Sequence, residues 1–317
     1  MRSASEPRLA LSRPRAVGLQ VMNARNKTLI VAGATGYGVW PANTLEGARA
    51  CLAAPVDGIE IDALLTADGH VVAHHDYWLA KDETRLDGAW LSERGPAVKS
   101  LTLAELRRYD IGRSRPGSEE ATRHPDRAQV DGARVPTLAE LLDLLRAASG
   151  PRRLFYIEIK TDPQDSRASP DAVAITTAVL DAVEAADYGA HTKIIAFDWR
   201  VLRLVKDRCP DMATAHLTIP APLASGIKFL PDGRSPWADG ADARDHGGSE
   251  LAAIKAHGGM EWSPYYTDVT PDRVAEAARL GLKVGPWGLS KAKHIDRMIA
   301  LGVFSATVSG PDWGPAA

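Results

Sequence analysis

The sequence predicts an α/β protein, a TIM (β/α)8 barrel with long insertions on its catalytic face. Three observations lead there. First, about eight short apolar runs recur along the chain, and most are followed by a segment with apolar residues at helical spacing. Strand–helix alternation of this kind implies a parallel sheet. Second, eight such units over about 290 residues suit a closed barrel better than a doubly wound sheet. Third, Gly33, Gly36 and Gly38 after the first run do not follow the G-x-G-x-x-G of a dinucleotide-binding turn.

The elements follow in order. Leu29 to Ala32 is an apolar run bounded by Gly33 and Gly36, a buried-strand pattern. Asn43 or Thr44 can cap a helix running through Ala48 and Ala50 to Cys51. Gly58 to Leu64 is a second strand, and Asp68-Gly69 turns it back into His70 to His74. Leu154 to Lys160 is a third strong strand, followed by a helix over about 171–186. Lys193 to Phe197, a helix over 199–207, and Ala213 to Leu217 come next. Met260 to Trp262 precedes a helix over 272–280, and Leu282 to Trp287 precedes another over 291–301. Val303 to Val308 closes the series. Residues 77–135 and 218–258 break the alternation with polar, proline-rich sequence, apart from a short helix at Leu101 to Leu106. Loops this long inside one domain are usually functional, and insertions after barrel strands fall on the catalytic face. The whole of 28–317 is thus expected to be one decorated barrel, with residues 1–27 as an N-terminal arm.

Composition removes several classes. The chain is 45% hydrophobic and 25% charged, so it is neither disordered nor fibrous. Lys plus Arg (38) nearly balances Asp plus Glu (40), which gives none of the basic footprint of a nucleic-acid binder. No run approaches the ~18 apolar residues of a membrane span. The first 27 residues are Arg-rich with Glu6 as their one acid, but they lack the apolar stretch of a secretory signal, so a cytoplasmic location is expected. Cys51 and Cys209 show neither metal spacing nor a disulfide framework. Tryptophan is unusual: eight Trp against four Phe. Trp40, Trp78, Trp199, Trp262 and Trp287 fall near C-terminal strand ends, where barrels place their sites, while Trp90, Trp237 and Trp313 lie in the insertions and tail.

The chemistry concentrates on two strands. Glu60 and Asp62 are two apart, so both face one way, with Ile59 and Ile61 opposite. Glu158 and Lys160 repeat the arrangement, with Ile157 and Ile159 opposite. Three carboxylates and one ammonium would then point into the barrel. Unpaired carboxylates there are expensive, and a hard divalent cation, Mg²⁺ or Ca²⁺, resolves that. A structural ion-pair network with Lys160 is the competing reading. His74-His75-Asp76 follows the hairpin, which brings a histidine suited to acid–base work beside the pair.

These segments resemble the glycerophosphodiester phosphodiesterase family. The resemblance rests on Asp57-Gly58-Ile59-Glu60-Ile61-Asp62, on Asp68 to Asp76, and on Ile157-Glu158-Ile159-Lys160, in that order and spacing. Pro41-Ala42-Asn43-Thr44-Leu45 is similar to that family's P-E-N-T-L, and Val135 to Leu138 and Trp262 to Tyr266 add to it. The resemblance implies a TIM barrel, a divalent ion held by Glu60, Asp62 and Glu158, His75 protonating the leaving alkoxide, and Lys160 close to the phosphate. It implies a small-molecule or lipid-like phosphate ester as substrate.

The sequence also departs from the family. Gly33, Ala34 and Thr35 stand where H-R-G is expected, Ala42 replaces the Glu of P-E-N-T-L, Trp287-Gly288-Leu289-Ser290 replaces W-T-V-N, and Val308-Ser309-Gly310-Pro311 replaces T-D-x-P. Losing one member of an acid–base pair costs about 10²–10⁴-fold. His74, His216 and His257 are candidate replacements. Alternatively the substrate supplies its own nucleophile in a cyclising lyase reaction on a phosphate or diphosphate, or the site binds without turning over. Small residues at 33, 34 and 288, with Leu289, are expected to leave that side roomier and more apolar, which favours a substrate bulkier than glycerophosphodiesters. Trp287, Trp262, Trp40, His216, Gly33 and Asn43 are expected to contact it.

Overall fold

The computed structural model describes residues 27–220 and 234–310. Nearly all of the expected N-terminal arm, together with Pro222, Pro231 and Trp313, lies outside them. Eight parallel strands form the barrel: β1 (Leu29–Ala32), β2 (Gly58–Leu65), β7 (Leu154–Ile159), β8 (Thr192–Ala196), β9 (Ala213–Thr218), β10 (Glu261–Pro264), β11 (Lys283–Val284) and β12 (Ser305–Val308). They pair in that order, and β12 returns to lie beside β1. Phe304 N donating to Val284 O (2.8 Å) and Thr307 N to Pro286 O (2.8 Å) close the seam between β11 and β12. β3 (Val71–Ala73) is the expected hairpin arm, antiparallel to β2 with Ala63 opposite Ala73.

Two-residue alternation divides the strands. Ile30, Ile59, Ile61, Phe155, Ile157 and Ile194 face outward into the main core beneath the helices. Leu29, Val31, Leu154, Tyr156, Ile195, Ala215 and Leu217 fill the barrel itself. Most helices begin on short polar caps that satisfy their first free N–H groups. Thr44, rather than Asn43, accepts from Gly47 N (3.1 Å) to start α1 (Leu45–Ala53). Asp171 caps α5 (Ala172–Ala185), Asp198 caps α6 (Trp199–Arg208), and Thr270 caps α8 (Pro271–Arg279). The last helix is α9 (Ala292–Ala300).

The first polar stretch, and the described part of the second, are more ordered than their composition suggests. Residues 77–135 hold a three-stranded antiparallel sheet: β4 (Arg85–Leu86), β5 (Ala89–Trp90) and β6 (Tyr109–Asp110). They also hold α2 (Leu103–Leu106) and α3 (Glu119–Arg123). Leu79, Val98, Leu106 and Val135 pack as a separate small core on Leu64 and Val72. α4 (Leu138–Ala147) follows directly, opened by a Thr137/Glu140 capping box and burying Leu138, Leu141, Leu142 and Leu145. In the second insertion Ser249 caps α7 (Glu250–Ala256).

A buried ion pair closes the lower end of the barrel. Lys193 Nζ donates to both carboxylate oxygens of Glu261 (2.7 and 2.6 Å) and to Tyr156 Oη (3.0 Å). Lys193 is 1% exposed. Burial alone would depress its ammonium, but Glu261 and Tyr156 hold it above the ordinary lysine value. Removing one partner of such a pair leaves a buried charge uncompensated. Lys193→Met is therefore expected to cost about 3–5 kcal/mol in urea denaturation; an unchanged midpoint contradicts the role.

Candidate active site

The inner faces of β2 and β7 meet at the upper mouth of the barrel. Their register sets Asp62 beside Glu158, and alternation adds Glu60 and Lys160 to the same face. One carboxylate oxygen from each of Glu60, Asp62 and Glu158 lies within 4.8 Å of the others. Lys160 Nζ sits 3.0 Å from Glu158 Oε1 and 3.3 Å from Asp62 Oδ1. Glu60 and Asp62 are buried at 6% and 2% exposure.

The surroundings divide the three acids. Burial, and then the charges of Asp62 and Glu158, push Glu60 well above the usual carboxylate range, against the pull of the Ala34 N–H. Burial, offset in part by Lys160, also raises Glu158. Asp62 is lowered despite its burial, because Lys160, His75 and Asn43 favour its charged form. Lys160 is raised: burial opposes its charge, and Glu158 and Asp62 outweigh that. The set thus holds one ammonium for three carboxylates. A hard cation that accepts oxygen ligands fits that surplus.

The loop after β1 orients two of these acids. Ala34 N donates to Glu60 Oε2 (2.7 Å). Asn43 Nδ2 donates to Asp62 Oδ2 (2.8 Å), and Asp62 N donates to Asn43 Oδ1 (3.0 Å). Asn43 therefore spends both ends of its amide on Asp62. The hairpin supplies the histidines. His74 N donates to Asp62 O (2.9 Å). His74 Nδ1 lies 2.7 Å from Asp76 O, and His75 Nδ1 lies 2.7 Å from Asp76 Oδ1. A carbonyl only accepts, so Nδ1 of His74 carries a proton and Nε2 is its acceptor when the ring is neutral. The two rings are pushed in opposite directions. Burial lowers His74. Lys160 pushes His75 down, but Asp62 and Asp76 together raise it above the ordinary value. Asp76 is held down to about 2: partial desolvation opposes this, and His75 and His74 outweigh it.

A cavity of about 690 Å³ covers this floor. Its apolar wall is Ile195, Phe197, Leu217, Ile219, Trp237 and Trp287, and the first insertion contributes Glu83, Arg113, Glu120, Arg123 and Arg127. Of the residues expected there, Glu60, Asp62, Glu158, Lys160, His75, Gly33, Asn43 and Trp287 line the cavity. Trp262, His216 and Trp40 do not. Trp262 and His216 are register partners on the outward faces of β10 and β9, where alternation turns them toward the helices. Trp262 Nε1 donates to Thr218 Oγ1 (2.9 Å), with the Arg273 guanidinium 4.2 Å from its ring. His216 packs on Trp199, its Nε2 is 3.0 Å from His257 Nδ1, and burial lowers it to about 3. Trp40 is half-buried beside the β1 loop.

Two other departures also resolve differently from expectation. Gly288 leaves no extra room: it takes a φ of +82°, and a Cβ there would lie 2.4 Å from the Tyr265 ring, which packs on Trp287. Leu289 is fully buried and bonded to β12. At Gly33 a Cβ would meet Thr307 Cγ2 at 3.1 Å and Glu60 Oε2 at 3.6 Å, so that position does face the floor. Phe197, Leu217 and Ile219 were legible by continuing the inner-face alternation of β8 and β9. Trp237 and the insertion arginines have no local signal.

Fold and site define a parallel (β/α)8 barrel with a carboxylate–lysine cluster and a histidine pair at its C-terminal mouth. Residues 33–312 match the model of the glycerophosphoryl diester phosphodiesterase family. The chain is 26% identical over 290 residues to a glycerophosphodiester phosphodiesterase of Caldanaerobacter subterraneus subsp. tengcongensis, covering 90% of this chain and 96% of that one. A solved structure from Silicibacter pomeroyi, assigned to the glycerophosphoryl diester phosphodiesterases, matches with TM-score 0.77 and 34% identity, over 90% and 91% of the two chains. The fold is also that of an Oleispira antarctica phosphodiesterase solved with its product sn-glycerol-3-phosphate (TM-score 0.62, 16% identity, 89% and 93% covered). The chain belongs to the glycerophosphoryl diester phosphodiesterase family, and it is a phosphodiesterase, a phosphoric diester hydrolase. Among the described residues no helix is long and apolar enough to cross a membrane.

The charge surplus has a thermal consequence. A divalent ion that binds only the folded site stabilises it by mass action, about 2.7 kcal/mol at a hundred times its Kd. Millimolar Mg²⁺ or Ca²⁺ is expected to raise the melting temperature. Lys160→Met is expected to melt early without the ion and to gain more from it than wild type. Calorimetry with and without chelator checks both.

Proposed function

We propose that the chain hydrolyses phosphate diesters with the help of one divalent cation, Mg²⁺ or Ca²⁺, held by Glu60, Asp62 and Glu158. The supporting observation is the three-to-one ratio of carboxylate to ammonium, placed within one cavity beside the His74-His75 pair. When bound, such an ion neutralises charge on phosphoryl oxygens and lowers the pKa of bound water.

The protein's own residues supply the remaining steps. Lys160 lies at the same floor and balances a phosphoryl oxygen as it charges up. His75 holds its proton under the pull of Asp62 and Asp76 and delivers it to the departing alkoxide as the P–O bond breaks. Of the three histidines considered as a replacement base, His74 alone lines the cavity. Burial lowers its pKa and the Asp76 carbonyl fixes its tautomer, so Nε2 of the neutral ring takes the proton that the attacking water releases. One base and one acid on a single loop fit the rule that paired roles need pKa values driven apart.

The substrate is bulkier and more apolar than a glycerophosphodiester. Support comes from the small residues Gly33 and Ala34 at the cavity and from the wall of Phe197, Leu217, Ile219, Trp237 and Trp287. Aromatic and aliphatic walls of this kind favour an apolar alcohol moiety.

Turnover of a panel of phosphodiesters, from glycerophosphocholine to long-chain and isoprenoid esters, tests the reading. Chelation and Glu60→Ala are expected to remove turnover together with ion binding. His75→Ala should lose at least about 10²-fold while still binding the ion. The wild-type rate should fall on the alkaline side, as His75 loses its proton through a pKa above the ordinary value, and His75→Ala should remove that limb. Phosphorus NMR separates a linear monoester, expected here, from the cyclic phosphate of a lyase. Preference for glycerophosphocholine over the larger esters contradicts the substrate assignment.

A further inference from the structure

We propose that the first insertion sets the affinity of the cation site through Tyr37, a positioning residue that clamps the strained turn after β1. The inference rests on the reading of Glu60, Asp62 and Glu158 as cation ligands.

Ala34 (φ 43°), Thr35 (φ 54°) and Asn43 (φ 54°) all sit in the left-handed region, although none is glycine. Such residues persist only where their surroundings over-determine them, and they gather at functional sites. Here the strained segment carries the Ala34 N–H that binds Glu60 and the Asn43 amide that grips Asp62. Two of the three carboxylates take their orientation from it. Moving the turn moves them.

Part of the restraint is internal: Asn43 N donates to Ala34 O (2.9 Å) and Thr44 N to Thr35 Oγ1 (3.1 Å). The rest comes from the insertion, about ninety residues further along the chain. The Arg127 guanidinium lies 4.4 Å from the centroid of the Tyr37 ring, and the His124 ring meets its edge at 4.6 Å. Burial, and then the neighbouring Glu120 carboxylate, push the Tyr37 hydroxyl above its ordinary value. Ala128 N donates to Val39 O (2.8 Å). Arg127 is itself fixed: its side chain is 2% exposed and donates to Glu83 Oε1 (3.0 Å) and Glu120 Oε1 (2.6 Å). A cation held rigidly over an aromatic face is a strong clamp when both are desolvated. Tyr37 thus joins an ion-pair network in one module to the turn that aims the ligands in the other. Residues that orient first ligands in this way change metal affinity by about 10–100-fold when removed.

The test is Mn²⁺ binding, read from the free-ion electron paramagnetic resonance signal, in the full chain. Tyr37→Leu, which keeps apolar bulk but loses ring and hydroxyl, is expected to weaken Mn²⁺ binding about 10-fold or more. Tyr37→Phe keeps the ring under Arg127 and is expected to stay close to wild type. Arg94→Ala removes a cation–π contact with Trp78 (4.4 Å) in the same insertion, away from the turn, and controls for general loosening. Its affinity is expected to be unchanged. Melting of the ion-free proteins by circular dichroism confirms that each variant is folded. Wild-type affinity in Tyr37→Leu overturns the inference, as does an equal loss in Arg94→Ala. A wild-type chain that binds no Mn²⁺ overturns the cation reading itself, and the inference with it.

Discussion

Three carboxylates, two buried and one half-buried, share one ammonium at the mouth of the barrel, and the rest of the site is arranged around that imbalance. Like charges this close, in a low dielectric, raise one another's pKa values and resist ionisation. The chain answers with what it has. Lys160 bridges Asp62 and Glu158, Asn43 fixes Asp62 from two directions, and the Ala34 N–H reaches Glu60. Glu60 remains the acid least compensated by protein groups, with its pKa raised well above the usual carboxylate range. A divalent ion is the simplest complement to the deficit, and a phosphate diester is a ligand that both the ion and the lysine attract.

The lower end of the barrel shows the same ingredients in balance. Lys193 and Glu261 pair one to one, with Tyr156 taking a further donor, and nothing is left over for a ligand. The contrast separates a structural ion pair from a functional one by stoichiometry. Both are buried and both lie inside the barrel. The lower pair is saturated by the protein, and the upper cluster is not. Left-handed backbone at Ala34, Thr35 and Asn43 lies at the unsaturated end, in the turn whose Ala34 and Asn43 bond two of the acids.

Much of this was legible from two-residue alternation. Glu60, Asp62, Glu158 and Lys160 fall on one face because their strands are regular, and the hairpin placed His75 beside them. The same rule, carried into β9 and β10, sends His216 and Trp262 outward, so proximity to a strand's C-terminal end was a poorer guide than parity. Gly288 reads as space in the sequence, but the Tyr265 ring fills it. The contacts that hold Tyr37 link it to His124 and Arg127, far along the chain, in a stretch whose polar composition looks like loop. Such pairing depends on how the insertion folds back over the barrel. No local pattern encodes it.

The most direct test is diffraction from crystals grown with Mn²⁺, with anomalous scattering recorded at the manganese edge. The account predicts one strong peak bounded by Glu60, Asp62 and Glu158, within oxygen-ligand distance of all three. A peak elsewhere, or no peak with Lys160 still bridging Asp62 and Glu158, would show that the cluster is a self-contained ion-pair network.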